Sequence, residues 1–226
     1  MHEERIDKIK EIIDSRSALI FDFDGVLVDS VHVKTEAFSE IYKRYGENVH
    51  SNVIKHHLEN GGMSRFEKFS FYHKNFLNLE LEESDLKLLT DSFSKLVKKK
   101  VINSPEIKGA NFFLEQFCVK SKLSFVNSAT PQKEIEEIIK ERKMDKFFTS
   151  IYGSPNSKLE NLERLFAKYN IVPEETIFFG DAMTDFEASQ ACGCYFIGIG
   201  QYIRKMIKSI EDYQNLNCGF LKDFQL

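Results

Sequence analysis

Asp22 and Asp24 stand two residues apart where the apolar run Leu19-Ile20-Phe21 gives way to Gly25. Side chains of a strand alternate with a period of two, so both carboxylates leave this run on the same side. Carboxylates that close repel, and they coexist when a cation lies between them or one keeps its proton. Either arrangement suits phosphoryl transfer. Polar residues also follow the later apolar runs: Ser128 after Phe125-Val126-Asn127, Lys158 in the loop beyond Tyr152, and Asp181 with Asp185 beyond Ile177-Phe178-Phe179.

Together these form a set for magnesium-assisted phosphoryl transfer. Mg²⁺ takes oxygen ligands, one or two carboxylates plus substrate phosphate and water. Asp22, Asp24, Asp181 and Asp185 make up the acidic set. Asp22 and Asp181 bind through their side chains, and Asp185, one helical turn on, acts directly or through water. Asp22 is the expected nucleophile, forming an aspartyl-phosphate. Asp24 is expected to protonate the leaving oxygen and then to deprotonate the attacking water. Lys158 and Ser128, with backbone N–H groups near Gly25 and Ala129, are expected to hold the transferring oxygens.

Side chains from distant parts of the chain meet only if an ordered scaffold carries them. Ile6, Ile9, Ile12 and Ile13 mark an amphipathic helix over residues 3–14. Residues 31–103 have the texture of helices alone, with an acidic entry at 79–85 and the basic exit Lys98-Lys99-Lys100 matching a helix dipole. Beyond Ser104-Pro105 the pattern alternates. Helices are expected at 109–119, from Pro131 to about Arg142, at 158–169 and up to Ala191. Strands are expected at 123–127, 147–152, 177–179 and 195–199, with a last one at 218–224. The fold class is therefore α/β: a Rossmann-like parallel sheet with helices on both faces and an inserted all-helical cap. The core domain is read as 1–30 with 104–226, and the cap as 31–103.

Composition narrows the functional class. With 226 residues, a net charge of −4 and a pI near 5.9, bulk electrostatics give no case for nucleic acid or a membrane surface. No apolar stretch approaches the roughly 18 residues of a membrane span, and MHEERIDKIKEII has no secretory pattern. Cys118, Cys192, Cys194 and Cys218 lack disulfide-framework spacing, and Cys192-Gly193-Cys194 has no second pair for zinc. These features fit reduced thiols and a cytoplasmic protein. The Phe residues, 21 against no Trp, read as core filler. Oligomeric state is not legible.

The motifs resemble those of the haloacid dehalogenase-like hydrolase superfamily, in its helical-cap branch with the β-phosphoglucomutase-like and phosphoglycolate phosphatase-like members. Asp22 to Ser30 matches the first motif, D-x-D-G-x-[LI]-x-D-S/T, in full; Ser128 matches the second, Lys158 the third, and Gly180 to Asp185 the fourth, G-D-x-x-x-D. Relatives that are dehalogenases or phosphonatases lack the second aspartate, so Asp24 implies phosphate-ester chemistry. The implied activity is a Mg²⁺-dependent phosphatase of a small phosphorylated metabolite, a sugar phosphate or phosphoglycolate. The alternatives are a phosphomutase and a catalytically silent binding protein of the same fold.

The family selects substrate through its cap. Gly62-Met63-Ser64-Arg65 resembles the Gly-x-Ser-Arg specificity loop of the β-phosphoglucomutase-like members, which implies that Arg65 binds a second phosphate or acidic group, with Lys68 as the weaker candidate. Those mutases carry a lysine before that glycine; here it is Gly61. Ser64 followed by Glu67 also reads as a helix-capping box. Five of the six histidines (His32, His50, His56, His57, His73) fall within the insertion and read as solvated or edge-of-core residues.

Overall fold

The computed structural model describes residues 2–118 and 122–226. Helix α1 (His2–Ser15) leads into β1 (Ala18–Phe21). Four α-helices follow in the insertion: α2 (Val31–Tyr42), α3 (Glu47–Glu59), α4 (Arg65–Tyr72) and α5 (Glu83–Asn103). The rest alternates: α6 (Ala110–Phe117), β2 (Leu123–Pro131), α7 (Gln132–Glu141), β3 (Ser150–Ser154), α8 (Lys158–Tyr169), β4 (Thr176–Gly180), α9 (Met183–Cys192), β5 (Tyr195–Ile199), α10 (Gln201–Lys208) and β6 (Cys218–Leu221).

The strands form one parallel sheet in the order β3-β2-β1-β4-β5-β6. Chain connections run in opposite directions from β1, so a crevice opens at the carboxyl ends of β1 and β4. The period of two is visible in burial. Leu19 and Phe21 join the core on one face of β1, and Ala18 and Ile20 join that on the other. Both faces are covered, which is why β1 and β4 read as unbroken apolar runs.

The aromatic surplus fills these cores. Among the largest fully buried side chains all but Tyr42 and Tyr72 are Phe. Phe21 stacks on Phe179 with centroids 4.8 Å apart, edged by Phe113. In the helical insertion Phe38 packs against Phe69, Tyr72 and Phe93. Each such pair adds about 0.5–1.5 kcal/mol beyond burial. The insertion and one face of the sheet share a continuous apolar cluster.

Several expected boundaries shift. The second strand runs on to Pro131, with a register shift between Asn127 and Pro131, so Ser128 lies within it rather than past it. Pro131 is the cap of α7 instead of its first residue; its ψ of 141° is extended. A 3-10 turn occupies Asp145–Phe147, delaying the third strand to Ser150. The last strand stops at Leu221, although Phe224 is buried against the core. Ile13 is fully buried and Ile9 and Ile12 partly so, as the helical face requires. The side chain of Ile6, and residue 119 of the expected 109–119 helix, lie outside the described residues. Cys118, Cys192, Cys194 and Cys218 are all free thiols. Among the described residues no helix is long and apolar enough to cross a membrane.

Candidate active site

Each acidic group is delivered by the turn after a strand. Asp22 N–H still donates to Phe179 O at 2.9 Å, which extends the β1–β4 pairing by one residue and fixes the side chain at the crevice. The chain then folds tightly on itself: Gly25 N–H donates to Val28 O (2.8 Å), and Val28 N–H to Phe23 O (3.1 Å). Gly25 has φ +82°, and a Cβ there would run into the Asp181 carboxylate. Both the left-handed backbone and the close approach demand glycine. Asp181 follows β4 directly. Asp185 sits in the first turn of α9 and accepts Ala182 N–H at 3.1 Å.

Lys158 opens α8. A capping box fixes that start: Ser157 Oγ accepts Glu160 N–H (3.2 Å), and Glu160 accepts Ser157 N–H (2.7 Å). Asn127 Nδ2 donates to Lys158 O at 2.9 Å, tying the helix end to β2. The Lys158 side chain is buried, with Nζ 2.8 Å from Asp22 Oδ2 and also on Asp185 Oδ1. Burial opposes its charge, but Asp185 and Asp22 hold its pKa above the ordinary lysine value.

Oxygens of Asp22, Asp181 and Asp185 lie within 4.8 Å of one another. The consequence is a surplus of negative charge. Burial, then Asp22 and Asp185, push the Asp181 carboxyl well above its usual range. Burial pushes Asp185 up to about 7, with Lys158 opposing and Asp22 reinforcing the rise. Three clustered hard oxygen donors with more charge than Lys158 neutralises are the donor set that suits Mg²⁺.

Asp24 is held differently. Its Oδ1 accepts Ser30 Oγ–H at 2.6 Å, and its Oδ2 accepts Lys34 Nζ (2.5 Å) and Thr130 Oγ1 (3.2 Å). Burial raises its pKa, but Lys34 with these hydroxyls brings it below the usual carboxylate value. Sequence reasoning missed Lys34 and Thr130. Lys34 is one helical turn past Ser30 and Thr130 two residues past Ser128, offsets visible in the sequence but without meaning until the two segments meet.

A cavity of 520 Å³ opens on this group. Asp22, Asp24, Gly25, Ser128, Ala129 and Asp181 line its sheet side, and Lys34, His57, Gly62, Arg65 and Lys68 line the side formed by the insertion. Lys158 and Asp185 stand behind Asp22. Ser128 is buried, and its Oγ accepts Thr130 N–H at 3.2 Å. Gly62, at φ +76°, lies so close to Thr184 that a Cβ would clash, and Thr184 Oγ1 donates to Gly61 O at 3.2 Å.

Arg65 reaches the cavity wall but is already matched. Its guanidinium forks onto Glu134 of α7 at 2.6 and 3.0 Å and donates to Ser94 at 2.7 Å. The capping box at Ser64 and Glu67 is present. The expectation for the histidines needs correction: His57 and His73 are buried. His73 Nδ1 lies 3.0 Å from Phe69 O and 3.1 Å from the Tyr42 hydroxyl, both inside the insertion.

The motif set and the fold now bear on one another, because the haloacid dehalogenase-like hydrolase family matches residues 19–199. The chain belongs to that family. It is 27% identical over 197 residues to a phosphorylated carbohydrates phosphatase of Thermotoga maritima, covering 78% of this chain and 81% of the relative. It is 22% identical over 189 residues to a phosphoglycolate phosphatase of Pseudomonas putida, covering 80% and 68%. In fold it is similar to the β-phosphoglucomutase of Clostridium difficile, with a TM-score of 0.72, 17% identity and 92% of each chain covered. It is likewise similar to the structure of a predicted phosphoglycolate phosphatase from Haemophilus somnus, with a TM-score of 0.68, 20% identity, and 93% and 95% covered. The chain is thus a haloacid dehalogenase-like hydrolase with the motifs and fold of the phosphatase branch.

Proposed function

We propose that this hydrolase is a Mg²⁺-dependent phosphatase of a small phosphorylated metabolite, a sugar phosphate or a phosphoglycolate-like ester, working through an aspartyl-phosphate. The carrying observation is the Asp22 carboxylate at the cavity floor, bonded to Lys158 and clustered with Asp181 and Asp185. Asp22 would attack phosphorus, and its contact with Lys158 Nζ fixes its direction. Phe23 N–H donates to Asp22 Oδ1 at 2.6 Å, which leaves less freedom for that carboxylate to turn. Asp22, Asp181 and Asp185 would hold the metal. Bound there, Mg²⁺ supplies charge stabilisation for the transferring oxygens.

Ser128 and the N–H groups near Ala129 and Gly25 support the same oxygens from the other side. Asp24, ionised beside Lys34, is set to take a proton from water in the second half-reaction. Serving as the acid in the first half-reaction requires its contact with Lys34 to open. Lys34 belongs to the insertion, so cap movement and the protonation state of Asp24 would be linked. The pairing of Arg65 with Glu134 counts against Arg65 itself as the ligand of a second phosphate.

The test is phosphate release from sugar phosphates, phosphoglycolate and an aryl phosphate, with Mg²⁺ and with EDTA. Metal-dependent hydrolysis that Asp22→Asn abolishes in a folded protein is the expected result. Absence of release from every ester would leave the silent binding protein as the better reading.

A further inference from the structure

Three cations from the helical insertion line the cavity, and two have carboxylate partners. Lys34 pairs with Asp24 and Arg65 with Glu134. Lys68, in α4, has no carboxylate within ion-pair distance among the described residues. It is only 3% exposed. Its Nζ lies 2.9 Å from His57 Nδ1, 3.4 Å from His57 O and 5.7 Å from the centre of the Phe38 ring. Glu67, its neighbour, is occupied in the Ser64 capping box, with its Oε2 accepting Ser64 N–H at 3.0 Å.

His57 completes the arrangement. It is 5% exposed, and its Nε2 has no hydrogen-bond partner among the described residues. Burial, then Lys68 and Lys34, push its pKa down to about 2, so the ring is neutral. Because Nδ1 faces the Lys68 ammonium, that nitrogen is the acceptor and Nε2 carries the proton. On one wall of the cavity the imidazole N–H is thus left without an acceptor, and the Lys68 ammonium, though it donates to His57 Nδ1 and O, is left without a countercharge. Leaving such groups unmatched is costly, and a ligand that supplies an anion relieves both. An ordered water satisfies the imidazole but not the charge.

We infer that Lys68 and His57 form a specificity subsite for a second anionic group on the substrate, a carboxylate or another phosphate, apart from the phosphoryl group that is transferred. This deepens the phosphatase reading and rests on it for the placement of the transferred phosphoryl group. It also moves anion recognition from Arg65, whose charge Glu134 already neutralises, one helical turn along α4 to Lys68. Lys68 is a binding residue here and takes no part in bond breaking.

Binding that needs no turnover tests this separately from catalysis. Wild type, Lys68→Gln and Lys68→Arg would be titrated calorimetrically, with Mg²⁺, against methylphosphonate, phosphonoacetate and propane-1,3-diphosphonate. Wild type is expected to prefer at least one of the two ligands with a distal anion by about tenfold or more. The carboxylate and phosphonate arms show which anion the subsite takes. In Lys68→Gln the preference falls by about tenfold or more while methylphosphonate affinity serves as the reference; in Lys68→Arg much of it remains. An equal preference in wild type and Lys68→Gln, or no preference in wild type, overturns the subsite. If phosphate release fails for every ester yet Lys68→Gln still loses the preference, the phosphatase reading falls and the subsite stands. Should Lys68→Gln not fold, as judged by melting, Lys68→Met carries the same comparison.

Discussion

Replacing Glu134 by Gln removes the partner of a cation that has almost no access to water. The Arg65 and Glu134 side chains are 4% and 8% exposed, and their fork is closed by Ser94, which donates to Glu134 Oε2 at 2.5 Å. Phe93 covers the guanidinium, its ring centre 4.6 Å away. Glutamine keeps one acceptor oxygen but leaves the charge of Arg65 uncompensated. Loss of one partner from a buried pair costs about 3–5 kcal/mol. For a chain of this length about 2–4 °C of melting temperature follows each kcal/mol, so a fall of roughly 6–20 °C is expected. Urea unfolding of Glu134→Gln, read as a lowered midpoint at constant slope, is the assay. The double variant Arg65→Met, Glu134→Leu should recover most of the loss, because two apolar side chains of similar size replace the pair at little net cost. A Glu134→Gln loss under about 1 kcal/mol would refute the reasoning, since it would mean that water reaches Arg65 or that another anion replaces Glu134.

Mg²⁺ at about 100 times its dissociation constant should add about 2.7 kcal/mol to stability, a rise of roughly 5–10 °C, and Asp181→Asn should lose most of that shift in a melting experiment. In the absence of metal, Asp181→Asn itself should melt higher than wild type, because it relieves repulsion from Asp22 and Asp185; a lower melting point would contradict the charge surplus. Arg65→Ala should leave KM for the best ester within about threefold if Glu134 is its partner, whereas a large rise in KM would restore Arg65 as a substrate ligand. Burial pushes the Lys68 pKa down to about 7, with Lys34 adding to the shift and Glu67 opposing it. The unfolded chain therefore binds more protons than the folded one between about pH 7 and pH 10.4, and this residue's penalty fades as pH rises through that window. Lys68→Met should raise the urea midpoint by an amount that is greatest below pH 7 and shrinks toward pH 10; a pH-independent difference would show that Lys68 is not desolvated.

The insertion is joined to the sheet domain through charge as much as through apolar contact. Lys34 on Asp24, Arg65 on Glu134 and Lys98 on Glu137 all cross between the two parts of the chain. The first two are buried or nearly so, and the third is exposed at the surface, where an ion pair contributes at most about 1 kcal/mol. Lys34 and Arg65 thus both join the two parts and line the cavity. Of the cations lining the cavity, Lys68 is the one without a carboxylate partner among the described residues.

The sequence by itself determined the parts of this protein that are local or periodic. The apolar runs of β1 and β4, the capping box at Ser64, and the order of Asp22, Asp24, Ser128, Lys158 and Asp181 along the alternating strands and helices were all legible. They were legible because strand alternation, helix periodicity and cap chemistry act over a few residues. The family's motifs single out which of the many acids are proposed to carry the chemistry. Only the tertiary structure decided which charges cancel. Lys34 and Asp24 are ten residues apart, Arg65 and Glu134 sixty-nine, and nothing in their local patterns announces either pair. The same holds for burial of His57, since an adjacent His56 carries the same side chain on another face of α3 and lies half-buried. Ion pairing depends on distance through space and on access to water, and both are set only when helices from the insertion are laid across the ends of the sheet.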